Sequence, residues 1–186
     1  MDDWPTSLND TLAETWRRLA RGVADRRAPA RHLVLATAGR EGGAEARIVV
    51  VRRVVPSEAL IDVHTDTASA KIAEIERDPR VSLLVWEERA SLQIRLRARV
   101  GVGQGEAVAE AWQRVPEAAR QVYGGTPAPG QEIATPEHHQ SAADSARFSV
   151  LSCHIEEIET LHLGRDRHRR ALFRASAAWR GVWLAP

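Results

Sequence analysis

Five residues offer chemistry by their types and spacing. Thr65, Thr67 and Ser69 set three hydroxyls at alternate positions ahead of the run SAKIAEIERD. Ile72 and Ile75 in that run read as the inner face of a helix. The free N–H groups and the dipole of a helix start favour an anion. Lys71 falls in the first turn, where a cation opposes the dipole unless an anion is bound beside it. It is the sole lysine among 26 basic residues, the others being arginine. A drift toward arginine that spares one position points to a need for a compact ammonium there. Arg47, at the head of the run RIVVVR, adds a second cation on a rigid strand. These residues describe a phosphate site. The alternative is a capped surface helix with an isolated lysine.

Other signals are weaker. Gln93, Arg95, Arg97 and Arg99 alternate with Ile94, Leu96, Ala98 and Val100, so the arginines share one strand face. That face is either solvated or an interface for an anion. Residues 165–180 carry six arginines against Asp166. This is the one strong charge asymmetry, and it reads as a surface patch, a nucleic-acid footprint or a clamp for a phosphorylated ligand. The chain as a whole carries a formal net charge of only +1, so no nucleic-acid partner is expected. There is no GxGxxG, Walker loop, HExxH, CxxC or GxSxG. Seven scattered histidines give no metal-ligand spacing, and no metal is expected. One cysteine, Cys153, excludes a disulfide framework within the chain and fits a reducing, cytoplasmic location.

The elements that must position these residues follow from periodicity. Residues 7–23 read as a helix capped by Ser7 or Asn9, with Leu8, Leu12, Trp16, Leu19 and Val23 inward. Strands are expected over His32–Thr37, Glu45–Val55, Leu60–Thr65, Val81–Trp86 and Ser91–Val102. The β-branched run within Glu45–Val55 predicts a strand covered on both faces. Glu106–Arg114 and Pro116–Tyr123 read as helices. Residues 124–146 are rich in Gly, Pro, Ala and Ser and form a long loop of the kind that is often functional. Arg147–Leu163 reads as a strand, and Arg170–Ala175 with Trp179–Leu184 as a closing hairpin. The strands are too closely spaced for βαβ crossovers. The expected fold is therefore mainly β (α+β), an antiparallel barrel with helices at its ends, in one domain over 1–186 with residues 1–28 as a helical N-terminal segment. With 186 residues and 44% hydrophobic content, a real core is expected. No apolar run approaches a membrane span.

Residues 47–52 (RIVVVR), 64–71 (HTDTASAK), 78–86 (DPRVSLLVW), Gln93 and the closing Trp179…Leu184-Ala185-Pro186 resemble, in order and spacing, pyridoxamine 5′-phosphate oxidase and its flavin-binding split-barrel relatives. The resemblance covers roughly residues 30–186. It implies a six-stranded split barrel and a homodimer with FMN at the subunit interface. It places Arg47 on the FMN phosphate, with Ile48, Val49, Val50 and Val51 running beside the isoalloxazine. Arg52 stands where the family has the lysine that ends that strand motif. His64-Thr65 stands where the family often has Tyr-Thr. Ser69-Ala70-Lys71 stands for Ser-Arg-Lys, so Lys71 would bind phosphate while the neighbouring arginine is lost. Gln93 matches a glutamine on the flavin ring. Gln140 and Ser141 match a pair supplied by the partner subunit. Arg170, or Arg169, matches a flavin-contacting arginine, although Leu161 stands where that region usually has Trp.

The resemblance further implies flavin-mediated hydride transfer to or from a small-molecule substrate. Arg52, Arg167 and His168 are the implied substrate contacts, with the register of the Arg-x-His pattern open by one residue. The family's phosphate-binding Tyr, Arg and Ser fall on Ala111, Val115 and Ala119, with Arg114 one place away. The expectation is an FMN-binding oxidoreductase related to this oxidase. The alternatives are the authentic pyridoxamine/pyridoxine 5′-phosphate oxidase and a non-catalytic flavin- or haem-binding protein.

Overall fold

The computed structural model describes residues 4–186. Its strands are β1 (His32–Ala38), β2 (Ala44–Val55), β3 (Leu60–Asp66), β4 (Arg80–Glu87), β5 (Leu92–Gln104), β6 (Phe148–Leu163), β7 (His168–Arg174) and β8 (Gly181–Leu184). They form one antiparallel sheet in the order β3-β2-β1-β4-β5-β6-β7-β8, and β3 also pairs with β6. Six strands thereby close a barrel, and β7 and β8 extend it as a hairpin, as the sequence led one to expect.

Strand β6 makes the split. Residues 148–154 pair with β3 and residues 157–163 with β7, while β5 follows along nearly the whole strand. The change of partner falls at an irregularity. Arg97 opposes Glu157 and Ala98 opposes Ile155, so Glu156 is unopposed. An extra residue of this kind bends a strand and lets it leave one neighbour for another.

Alternation fills the interior. Leu33, Leu35, Leu83, Ile94, Leu96 and Ile158 come from four strands and are fully buried. The helices are α1 (Leu8–Ala24), α2 (Ala70–Arg77), α3 (Ala109–Arg114) and α4 (Glu117–Arg120). Ser7 caps α1 by accepting from the Asp10 N–H at 3.1 Å. Trp16 and Leu19 are buried as expected, but Val23 is exposed and Thr11 and Thr15 are inside. Their hydroxyls donate to the carbonyls of Ser7 and Thr11 at 2.8 and 2.7 Å, so burial leaves neither hydroxyl unmatched. At Gly22 an added Cβ would lie 2.5 Å from the Ala30 carbonyl oxygen, which is why glycine stands there.

Two expectations change. Strand β2 is not covered on both faces: Val49 and Val51 are buried, but Ile48 is 61% exposed. A β-branched run reads alike whether its outer face is packed or bare. The second helix after β5 shrinks to Glu117–Arg120, because Pro116 starts it and the chain turns at once toward Tyr123. Helices α3 and α4 cover a second apolar cluster around Phe148, Tyr123, Val108 and Val115.

Asp66, at the end of β3, ties three segments together. Its carboxylate, 4% exposed, accepts from Arg147 Nε and Nη2 at 3.0 and 2.7 Å and from the N–H groups of Ala68 and Gly124 at 2.8 and 2.9 Å. The 124–146 loop is thus pinned to β3 and β6 at its first residue. Asp66→Ala is expected to cost about 3 kcal/mol, the scale for breaking a buried, hydrogen-bonded pair. A urea midpoint shift together with faster proteolysis inside 124–146 checks this; an unchanged midpoint would remove Asp66 as the tie.

Candidate functional site

The sequence-predicted anion residues meet at one end of the barrel. Strand β3 delivers Thr65, and the chain turns directly into α2, which brings Ser69 and Lys71. Lys71 Nζ donates to Thr65 Oγ1 at 3.0 Å, and Thr65 Oγ1 lies 3.3 Å from Ser69 Oγ. Ser69 is the N-cap of α2 by its backbone, yet its side chain makes no capping bond. Thr67 serves differently: its N–H donates to the Arg147 carbonyl at 2.8 Å.

Arg47 enters from β2 on the inward face. Its Nη2 pairs with Glu74 Oε2 at 2.7 Å, and its Nη1 bonds Thr37 Oγ1, which in turn donates to Glu74 at 2.5 Å. Glu74 and Thr37 escaped the sequence reading. The available signal was a glutamate at 74 beside Ile75 on the inward face of a short helix. Burial pushes the Lys71 ammonium below its ordinary pKa, and the facing Arg47 guanidinium pushes the same way; Glu74 and Asp66 oppose both. A half-buried ammonium beside a guanidinium is a place where an added anion stabilises both cations.

A second set of residues shares the outer face of the sheet. The register runs Ile48, Val34, Leu84, Arg95, Glu159 across five strands. The adjacent row runs Trp86, Gln93, Leu161, Arg170. Ile48 and Trp86 are large and exposed, Trp86 at 48%. Arg170 Nε and Nη2 sit 3.1 and 2.9 Å from Glu159 Oε1, and Arg95 Nη2 sits 2.7 Å from Oε2. Buried Glu159 therefore orients two arginines on this face. Glu157 likewise pairs with Arg174 at 2.9 Å, so part of the C-terminal positive charge is matched by β6.

A cavity of about 560 Å³ lies between the barrel and α3–α4. Arg52, Arg53, Asp62 and His64 line one wall, and Val108, Ala111, Val115 and Ala119 the other. Two consecutive strand residues normally point to opposite faces. Here Val51 opposes Val63 and Arg53 opposes Asp62, so Arg52 is an unopposed bulge residue that turns toward the same cavity as Arg53. Arg52 Nε, Asp62 Oδ1 and His64 Nδ1 are buried with no hydrogen-bond partner among the described residues.

The fold thus brings Arg47, Thr65, Ser69 and Lys71 together, and sends His64, on the opposite face of β3, to the cavity. Gln93 and Arg170 lie on the outer face. Gln140 and Ser141 are exposed in the loop, where Thr126 and Gln140 exchange backbone bonds at 2.9 and 2.8 Å. Arg167 and His168 lie at the β6–β7 turn. Within one chain they sit far from Arg52: β6 lines the cavity at Val150 and ends at Leu163, a strand length on the order of 40 Å.

A closed six-stranded antiparallel barrel with an appended hairpin defines the split-barrel class. The chain belongs to the pyridoxamine 5′-phosphate oxidase family, whose model matches residues 23–162. A pyridoxamine 5′-phosphate oxidase-related, FMN-binding protein of Nostoc punctiforme PCC 73102 has a similar fold, with a TM-score of 0.75, 21% identity, and 98% of this chain and 99% of that one covered. PhzG of Burkholderia lata 383, solved with tetrahydrophenazine-1-carboxylic acid, gives a TM-score of 0.74, 20% identity, and 100% and 95% coverage. A relative of general stress protein 26 from Clostridium acetobutylicum gives 0.58 and 11%, with 90% and 96% covered. No curated protein matches the chain.

Titration of His64 offers a check on the cavity wall. Burial, then the nearby Arg52 charge, lower its pKa from an ordinary 6.5 to about 4, against an opposing pull from Asp62. Between those values the unfolded chain holds the proton and the folded chain does not. Stability is therefore expected to fall as pH drops from 6.5 toward 4. Urea midpoints for the wild type and His64→Gln across that window should differ in slope, the variant being flatter. Parallel curves would mean that His64 is not held neutral.

Proposed function

We propose that the chain is an FMN-dependent oxidoreductase that acts as a homodimer and passes a hydride between the flavin and a small molecule. The observation that carries this reading is the cradle in which Lys71, Thr65, Ser69 and Arg47 converge at the start of α2. Its donor set fits a phosphate monoester. Among the described residues Lys71 bonds a hydroxyl, the cap side chain leaves the helix start open, and Arg47 is held in place by Glu74 and Thr37.

In this reading Arg47, Thr65, Ser69 and Lys71 hold the FMN phosphate, and the β2 backbone from Ile48 to Val51 lies along the ring. Gln93 supplies a side-chain hydrogen bond to the ring. Gln140 and Ser141 lie elsewhere in the same chain, and in this reading a second copy supplies them, while Arg170 shares its register row with Gln93. The exposed Ile48 and Trp86 give that copy an apolar face to cover. The flavin supplies the redox chemistry; the protein binds, orients and tunes it. Cys153, a buried free thiol, suits a reducing cytoplasm.

Authentic oxidation of pyridoxamine 5′-phosphate is the less favoured reading. Ala111, Val115 and Ala119 line the cavity beside Arg52 where that oxidase has a Tyr, an Arg and a Ser. None of the three carries a side-chain donor for a substrate phosphate.

Titration of the protein with FMN and with riboflavin, read by flavin fluorescence, tests the cradle. Lys71→Gln should weaken FMN binding by about 10- to 100-fold, the worth of one charge-assisted contact, and leave riboflavin nearly unchanged. Equal losses for both would take Lys71 off the phosphate. If the wild type takes up no FMN, the reading is wrong.

A further inference from the structure

We propose that the cavity between the β2 bulge and helices α3–α4 is a specificity pocket for an unphosphorylated monocarboxylate with an apolar ring body, its carboxylate bound by Arg52. The pocket rests on the flavin reading only for what the bound molecule is used for.

Charge accounting selects the head group. Five charged side chains line the cavity, and four pair among themselves: Arg53 with Asp62 at 3.3 Å, and Arg114 with Glu110. Arg52 makes no ion pair among the described residues. It meets the Tyr123 hydroxyl, and its Nε is buried without a partner. His64 is held neutral by burial and by Arg52, so it adds no charge. One uncompensated guanidinium matches one carboxylate, whose two oxygens suit its planar fork. A phosphate dianion brings a second charge and a third terminal oxygen into a wall that already holds the Asp62 and Glu110 carboxylates. Ser152 is the one hydroxyl among the lining side chains available to receive it.

The opposite wall selects the body. Val108, Ala111, Val115 and Ala119 are apolar and mostly small, which leaves about 560 Å³, within the range of small-molecule pockets. The wall offers area to a ring and no hydrogen bonds to a polar chain. Alternation from the buried Val51 points Arg52 outward into the cavity, and the bulge adds Arg53, opposite Asp62, to the same face, where Asp62 pairs with it and leaves Arg52 uncompensated.

Calorimetry with 2-naphthoate, 2-naphthyl phosphate and 2-naphthalenemethanol tests this, on protein with and without added FMN. These probes keep one ring body and vary the head group. Naphthoate should bind tighter than either of the others by about tenfold or more, and Arg52→Gln should remove that preference. Arg114→Gln, at a paired site, should change naphthoate binding by less than about threefold. Should Arg52→Gln fail to fold, Val115→Arg serves instead and should raise the phosphate-to-carboxylate ratio by about tenfold. Phosphate or alcohol binding as tightly as naphthoate overturns the proposal, as does an Arg52→Gln protein that binds naphthoate normally. FMN uptake without naphthoate binding also overturns it and leaves the flavin reading intact. Naphthoate binding without FMN uptake supports the pocket and sinks the flavin reading.

Discussion

The pairing of β3 with the first half of β6 is the constraint on which the rest depends. It closes the barrel, and it fixes where β3 ends. Because β3 ends at Asp66 against Phe148, the chain must turn there into α2, and Thr65 is left beside Ser69 and Lys71. The same junction lets the Asp66 carboxylate reach Arg147 and Gly124, which anchors the long loop. Closure also forces β6 to release β3 before it can take β7, and the unopposed Glu156 marks that point. Cradle, loop anchor and hairpin are thus consequences of one ladder.

Buried charge is handled in two ways. Arg47 and Glu74 are paired and share the Thr37 hydroxyl, so neither is left uncompensated. Such a pair adds little net stability, since desolvation roughly cancels attraction. What it does add is position: Arg47 is held against the barrel end before any ligand arrives. Lys71 is the opposite case. It has a hydroxyl for a partner and a depressed pKa caused first by burial and then by Arg47. In the proposed reading, a fixed guanidinium beside an under-compensated ammonium takes an anion with little rearrangement.

Most of the fold was legible in the chain. Period-two alternation in 91–102 named the inward Ile94, Leu96, Ala98 and Val100, all of which are buried. The cradle was legible too, because Thr65, Ser69 and Lys71 are close in sequence and a helix start has a local signature. What stayed hidden came from long-range geometry. Glu74 meets Arg47 only because α2 lies across the barrel end. Thr11 and Thr15 are buried through back-bonds to carbonyls, which a hydrophobic pattern does not register. The bulge at Arg52 cannot be read from RIVVVRR, where strict alternation sends Arg52 and Arg53 to opposite faces. Only the register with β3 shows that they share one.

Strand β2 therefore carries three different environments in seven residues. Arg47 faces the barrel end, Ile48 faces outward and bare, and Arg52 and Arg53 face the cavity. A regular strand would send Arg53 inward after Arg52; the bulge keeps both on the outer, cavity side. Because the bulge is set by pairing with β3, and β3 is held by β6, the cavity's Arg53–Asp62 pair is tied to the same closure that brings Thr65, Ser69 and Lys71 together. Side-chain substitutions at 111, 115 or 119 would change the cavity's lining without touching that ladder. The fold thus separates the residues gathered at the barrel end from the cavity lining between barrel and helices, and the second can diverge while the first is kept.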